Sequence, residues 1–267
     1  AVIEAEDTAR AFALMAARFY QRQPGMIAAV TGTNGKTSTA HFTQQLWATS
    51  GLHSASLGTL GVRGEGVDRT GSMTTPETVA LHETLAGLAQ AGITHLAMEA
   101  SSHGLAQRRL DGVEVRAAGF TNLTRDHLDY HTDMENYFSA KARLFAAVVQ
   151  PGGVAVLNED VPEFAALAEI CRMREVRVQG YGVKGRDFKL LSRTPLPQGQ
   201  DITIEVMGRR HHLVLPLVGA FQAMNALCAL GLAMAGHEKT DVENLAALEG
   251  APGRLQLIPG AAEGAAV

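Results

Sequence analysis

The chain has 267 residues, 46% of them hydrophobic and 5% aromatic, with a formal net charge of −4. This balance excludes the basic surface of a nucleic-acid binder, and no apolar run reaches membrane-spanning length or reads as a signal peptide. What remains is the expectation of a cytoplasmic α/β protein with ample chain for one large core, in which Cys171 and Cys228 are too few for a disulfide framework and are free buried thiols.

Strand-like and helix-like segments alternate along the chain. Strands are expected near 27–31, 54–58, 93–99, 115–121, 153–157 and 175–181, with helices between them at about 36–50, 78–91, 134–149 and 162–171. Such alternation marks a P-loop type, mostly parallel sheet flanked by crossover helices. After Tyr181 the pattern changes: 187–193, 201–207 and 211–217 read as short alternating strands, with turns at Pro195-Leu196-Pro197 and Gly208. They predict a small antiparallel sheet near residues 187–217, after which helices near 219–236 and 240–249 close the domain.

The stretch Thr31-Gly32-Thr33-Asn34-Gly35-Lys36-Thr37-Ser38 comes directly after the apolar run Met26-Ile27-Ala28-Ala29-Val30 and opens the helix at 36–50. Glycines let backbone N–H groups turn toward an anion, the helix adds its positive end, Lys36 supplies a point charge and the Thr37 hydroxyl suits Mg²⁺. The common phosphate loop carries a glycine where this chain has Val30; its first glycine is Gly32, so the loop is shorter.

Three further positions carry chemistry. Glu99 ends the apolar run 93–98, where an acid at the carboxyl end of a buried strand faces the crevice that binds ligands in open α/β sheets; it either holds Mg²⁺ or merely caps the segment 100–104. The stretch Thr121-Asn122-Leu123-Thr124-Arg125-Asp126-His127-Leu128-Asp129-Tyr130-His131 lies past another strand end, and reads either as a polar loop or as a ligand set with His127 as the chosen metal ligand. In helix 134–149 the apolar stripe Met134, Tyr137, Phe138, Leu144, Phe145 and Val148 has Lys141 as its missing member. A lysine on a core-facing side snorkels, finds a partner, loses its proton or is chemically modified.

Together these residues resemble the Mur ligase family, ATP-dependent amide-bond-forming enzymes of cell-wall synthesis, over nearly the whole chain and as that family's central ATPase domain. The resemblance is carried by the short loop at 31–37, by Met98-Glu99-Ala100-Ser101-Ser102-His103-Gly104-Leu105-Ala106-Gln107-Arg108-Arg109, by the stretch 121–131, and by Ala140-Lys141 ten residues later. These long motifs look like the member that adds the third residue, meso-diaminopimelate or L-lysine, to UDP-N-acetylmuramoyl-L-alanyl-D-glutamate through an acyl phosphate.

The resemblance implies a role for each residue. Lys36, with Gly32, Thr33, Asn34, Gly35, Thr37 and Ser38, would hold the phosphates of ATP. Thr37 and Glu99 would bind one Mg²⁺ and His127 a second, and the family's lysine matching Lys141 is carbamylated by CO₂. A carbamate turns the unwelcome cation of the stripe into an anion able to face a metal. Lys36, Glu99, His127 and Lys141 form the implied catalytic set. Asn225 would lie beside the nucleotide base, or is an ordinary polar residue on a helix; Arg254 would reach the nucleotide. Thr74, Thr75, Ser101, Gln107 and Arg109 would contact the UDP-muramoyl dipeptide, whereas Met73 stands where some relatives have asparagine.

The resemblance also divides the chain: 1–23 as the last helix of a first domain plus a linker, 24–251 as the central ATP-binding domain, and 252–267 as a linker toward a third. Neither outer domain is in the sequence, so a truncated core with little ligase activity by itself is expected, with the amino acid selected elsewhere. The rival readings are a non-catalytic nucleotide-binding module and another superfamily ligase of the folylpolyglutamate or cyanophycin synthetase kind.

Overall fold

The computed structural model describes residues 4–71, 73–126 and 128–255. Helix α1 (Thr8–Tyr20) starts where the Asp7 side chain accepts from Arg10 N at 2.9 Å, a side-chain cap on the first turn. Next in the chain are β1 (Met26–Thr31), α2 (Lys36–Thr49), a hairpin of β2 (Ser54–Gly58) and β3 (Gly61–Gly64), α3 (Thr78–Gln90), β4 (His95–Glu99), the short α4 (Ser102–Ala106) and β5 (Val115–Phe120). The second half runs α5 (Leu128–His131), α6 (Met134–Arg143), β6 (Val149–Asn158), α7 (Phe164–Met173), β7 (Arg177–Gly182), β8 (Phe188–Leu196), β9 (Gly199–Val206), β10 (Arg209–Leu215) and α8 (Ala220–Gly236).

All ten strands form one sheet in the order β10-β9-β8-β7-β6-β5-β1-β4-β2-β3. From β2 to β8 neighbours run parallel, while β3 and the pairs β8–β9 and β9–β10 are antiparallel. The antiparallel strands therefore extend the main sheet rather than forming a separate one. Side chains alternate across the sheet with the period of two that a strand imposes. Met26, Ala28 and Val30 of β1 enter a core made with α2 and α8, whereas Ile27 and Ala29 enter a second core with α3, α7 and the turn after α6. Because both faces are covered, β1 is buried throughout and reads as a continuous apolar run.

Three expectations need correction. The helix expected over 134–149 stops at Arg143 and continues as a π-helical turn over Leu144–Val148, after which the chain turns into β6 at Val149. Leu144, Phe145 and Val148 are buried in either geometry, so the apolar pattern does not distinguish the two. The helix expected near 240–249 is a 3₁₀ turn over Val242–Ala247. Strand β3, four residues with two glycines, is an addition to the expected strands and carries no sequence pattern of its own. Cys171 and Cys228 are free and buried, and burial pushes both thiols up to about 12. Among the described residues no helix is long and apolar enough to cross a membrane.

Candidate functional site

The chain reverses direction across the sheet at β1: strands β4, β2 and β3 lie on one side and β5 onward on the other. Such a switch point opens a crevice at the carboxyl ends of the strands. The loop after β1 fills it. Gly32 (φ +147°) and Gly35 (φ +87°) take backbone conformations that side chains resist, and a Cβ on Gly32 would strike the Thr121 hydroxyl, while one on Gly35 would strike the Asn225 carboxamide. Asn122 grips the loop from β5's end: its carbonyl accepts from Thr33 N at 2.8 Å and its side chain from Asn34 N at 3.0 Å. The backbone donors left facing the crevice are those of α2's first turn, which Gly35 precedes without any side-chain cap. An uncapped helix start at the floor of a cavity of about 800 Å³ is suited to an anion.

Lys36 is the first residue of α2, and its ammonium folds back to donate to Gly32 O at 2.9 Å and Thr33 O at 2.7 Å. Burial lowers its pKa, opposed by the charge of Glu99. Glu99 ends β4, only 2% exposed, and accepts from Thr37 Oγ1 at 3.1 Å, Thr59 N at 2.7 Å and Thr59 Oγ1 at 3.3 Å. Burial raises its pKa, with the Thr59 amide and Lys36 working against that. A buried acid beside a hydroxyl, both lining the cavity, offers two oxygen donors of the kind Mg²⁺ takes together with substrate phosphates. Among the described residues no group of three or more His, Cys, Asp or Glu forms a metal cage, so a divalent ion here would depend on the phosphates for further oxygens. His127 lies outside the described residues.

Lys141 is 1% exposed, in the last turn of α6, a helix capped by Asp133, whose side chain accepts from Asn136 N at 2.8 Å. Its amine donates to Gly32 O at 2.8 Å and stands 4.2 Å from the centre of the Tyr137 ring. Of the fates open to a core-facing lysine, snorkelling is ruled out by this geometry. Burial, then the neighbouring Lys36 charge, lower its pKa from 10.5 to about 6. Most of its population is thus a neutral amine at pH 7, the nucleophilic form. A neutral amine at a phosphate loop fits a carbamate-forming lysine.

The expected substrate residues gather beside Glu99, and of them Thr74 lines the cavity. Thr75 Oγ1 donates to Glu99 O at 2.9 Å and accepts from Ser101 N at 3.0 Å, while the Ser101 hydroxyl caps α4 through Gly104 N at 3.1 Å. Arg109 donates to Thr75 O at 2.8 Å and to Gln107 Oε1 at 2.9 Å, and pairs with Glu77 at 2.6 Å. Thr74 meets Thr59 through their hydroxyls at 3.0 Å. Thr74, Thr75, Ser101, Gln107 and Arg109 are thereby one bonded group next to Glu99, with the sulfur of Met73 at 3.9 Å from the Arg109 guanidinium. Asn225 and Arg254 line the opposite end of the cavity with Ser38, Phe221 and Leu255; the Asn225 amide donates to Gln222 Oε1 at 3.0 Å, and Gln222 donates to Arg254 O at 3.1 Å.

Sequence reasoning passes over Thr59, Asn122 as a loop anchor, and Tyr137 as more than core. Thr59 comes directly after a strand that neighbours β4, and only the strand order reveals that its amide meets Glu99.

The Mur ligase middle domain family matches residues 30–233. The chain is 49% identical, over 96% of its length, to UDP-N-acetylmuramoyl-L-alanyl-D-glutamate–2,6-diaminopimelate ligase of Caulobacter vibrioides, and covers 54% of that protein. A solved structure of a ligase of that description superposes with a TM-score of 0.85 at 30% identity, over 96% of this chain and 54% of that one. Mycobacterium tuberculosis folylpolyglutamate synthase complexed with ADP superposes with a TM-score of 0.77 at 20% identity, over 96% of this chain and 64% of that one, which shows a common fold alone. The chain spans about half the length of the curated relatives it matches. With the family's match covering most of its length and the phosphate loop, Glu99 and Lys141 assembled at one switch point, the chain belongs to the Mur ligase family through the middle domain.

Proposed function

We propose that this chain is the ATP-binding core of an amide ligase that adds a third amino acid to UDP-N-acetylmuramoyl-L-alanyl-D-glutamate in peptidoglycan synthesis. The relatives' names favour 2,6-diaminopimelate over lysine as that residue. Residues 24–251 are proposed as one domain of a longer enzyme, a reading supported by the coverage of about half of each relative. The observation that carries the ligase reading is Lys141: a simple phosphate-binding module has no use for a buried amine 2.8 Å from its loop carbonyl.

In this reading the first-turn amides of α2 and the Lys36 ammonium take the ATP phosphates, Lys36 exchanging its loop carbonyls for phosphate oxygens. The substrate's terminal carboxylate attacks the γ-phosphorus; the bond to the β–γ bridging oxygen breaks, leaving ADP and an acyl phosphate. The incoming amine adds to the acyl carbon, and the tetrahedral adduct expels phosphate and loses a proton, leaving the amide. Lys36 and the helix start stabilise the charge that gathers on the transferring phosphoryl group. Mg²⁺ held by Thr37 and Glu99, with a second ion toward His127 and Lys141, would supply further charge neutralisation there. The neutral Lys141 amine adds to CO₂ and releases a proton, giving a carbamate. Thr74, Thr75, Ser101, Gln107 and Arg109 take the acidic substrate on the rim, and Asn225 and Arg254 the nucleoside end.

The test is equilibrium binding of Mg-ATP to this chain, and then phosphate release with and without the UDP-muramoyl dipeptide, offering diaminopimelate and lysine in turn. Lys36→Ala is expected to weaken Mg-ATP at least tenfold, about the 1.4 kcal/mol or more of a charge-assisted phosphate contact. Unchanged binding in Lys36→Ala, or competition by folate in place of the dipeptide, would overturn the assignment.

A further inference from the structure

Tyr137 stands out among the buried residues near the site. It is 0% exposed on the apolar stripe of α6, where phenylalanine would fill the same space without a hydroxyl to satisfy. That hydroxyl lies 3.2 Å from Thr33 Oγ1 of the phosphate loop. Thr33 Oγ1 in turn accepts from Thr124 N at 2.9 Å and stands 3.2 Å from Thr124 O, so the phenol joins a buried polar knot between the loop and the segment after β5. The same ring lies 4.2 Å from the Lys141 amine, one helical turn further along α6, and 5.1 Å between centroids from the His131 ring. One side chain thus touches both the loop and the lysine.

The two contacts differ in kind. The hydroxyl contact fixes Thr33, and with it the Gly32 carbonyl that Lys36 and Lys141 share and the Thr33 carbonyl that Lys36 takes. The ring is a rigid wall with two torsions, against which a four-carbon amine chain has few places to go. We propose that Tyr137 is a positioning residue with two separable duties: its hydroxyl holds the phosphate loop in shape for the nucleotide, and its ring aims the Lys141 side chain so that the modified lysine is retained. The second duty rests on the carbamate reading given above; the first does not.

Tyr137→Phe keeps the ring and removes the hydroxyl; Tyr137→Leu removes both. The readouts are the ¹³C resonance of a lysine carbamate in protein equilibrated with ¹³C-bicarbonate, and the dissociation constant of a non-hydrolysable Mg-ATP analogue. Tyr137→Phe is expected to keep the carbamate signal within twofold while weakening the analogue about fivefold, the usual loss of one neutral hydrogen bond. Tyr137→Leu is expected to lose the carbamate signal at least tenfold at the same bicarbonate concentration. An unchanged analogue affinity in Tyr137→Phe overturns the first duty; a carbamate in Tyr137→Leu within twofold of the wild type overturns the second. Should Tyr137→Leu fail to fold, Tyr137→Met, unbranched and more adaptable, replaces it. A wild-type protein without any carbamate signal overturns the modified-lysine reading itself, and the Tyr137→Phe arm still decides the first duty.

Discussion

Lys36 and Lys141 reach the same acceptor, Gly32 O, from two different helices, at 2.9 and 2.8 Å. Two amines on one oxygen repel if both are charged, and Lys141, 1% exposed, yields its proton. Its folded pKa, about 6, lies below the ordinary 10.5, so between these values the unfolded chain binds more protons. This residue's contribution to stability is therefore full above about pH 10.5 and is lost as pH falls toward 6. Lys141→Met is expected to raise stability at pH 7, without bicarbonate or nucleotide, by about 1–4 kcal/mol, because the apolar side chain need not shed a proton to be buried. The gain should shrink as pH rises toward 10. Urea unfolding at several pH values measures this; a variant less stable at pH 7 would sink the account. Lys141 is legible in sequence because a 3.6-residue stripe makes one polar member conspicuous, and Glu99 because a strand end locates it. Thr59 and Asn122 are unremarkable polar residues in sequence, and their work depends on which strands happen to be neighbours.

Helix α6 positions Lys141 between two different ends. Its start is fixed by the Asp133 cap, and its finish passes into the π-helical turn at Leu144–Val148 before β6 begins. A π turn carries one extra residue per turn, which shifts the helix face while keeping buried side chains buried. Asp133→Ala is expected to cost about 1 kcal/mol, a drop in melting temperature of about 2–4 °C for a chain of this size. A melting temperature equal to the wild type's would show that the cap does not anchor the helix. Most elements are legible from alternation of periods two and 3.6. The π turn and β3 are not: the first preserves the apolar pattern of an α-helix, and the second is held by pairing to β2, with Leu57 opposite Val62, not by its own composition.

At the scale of the whole molecule, acid sensitivity adds up from buried imidazoles. His82 is 3% exposed and lies 3.2 Å from Asp111 O, and burial holds it and His95 below the ordinary range of about 6.5. A folded pKa below the unfolded one means stability that is full above about pH 6.5 and lost as pH falls through the folded value. His82→Gln should therefore lose less stability than wild type between pH 7.5 and 5.5, by up to about 1 kcal/mol, the scale on which the titration of one such group acts. Urea midpoints at the two pH values measure this; parallel losses would mean that His82 titrates normally.

The antiparallel strands β8–β10 read as a small sheet of their own in sequence, yet α8 lies across β5, β6, β7 and β8 together. Phe188, Ile202, Ile204 and Leu215 share one core with Leu227 and Leu230 of α8, the helix that carries Asn225. Removing the strands would strip apolar partners from α8 and loosen the helix that holds Asn225 at the cavity wall, so the extension is a keel for the site and not a detachable piece.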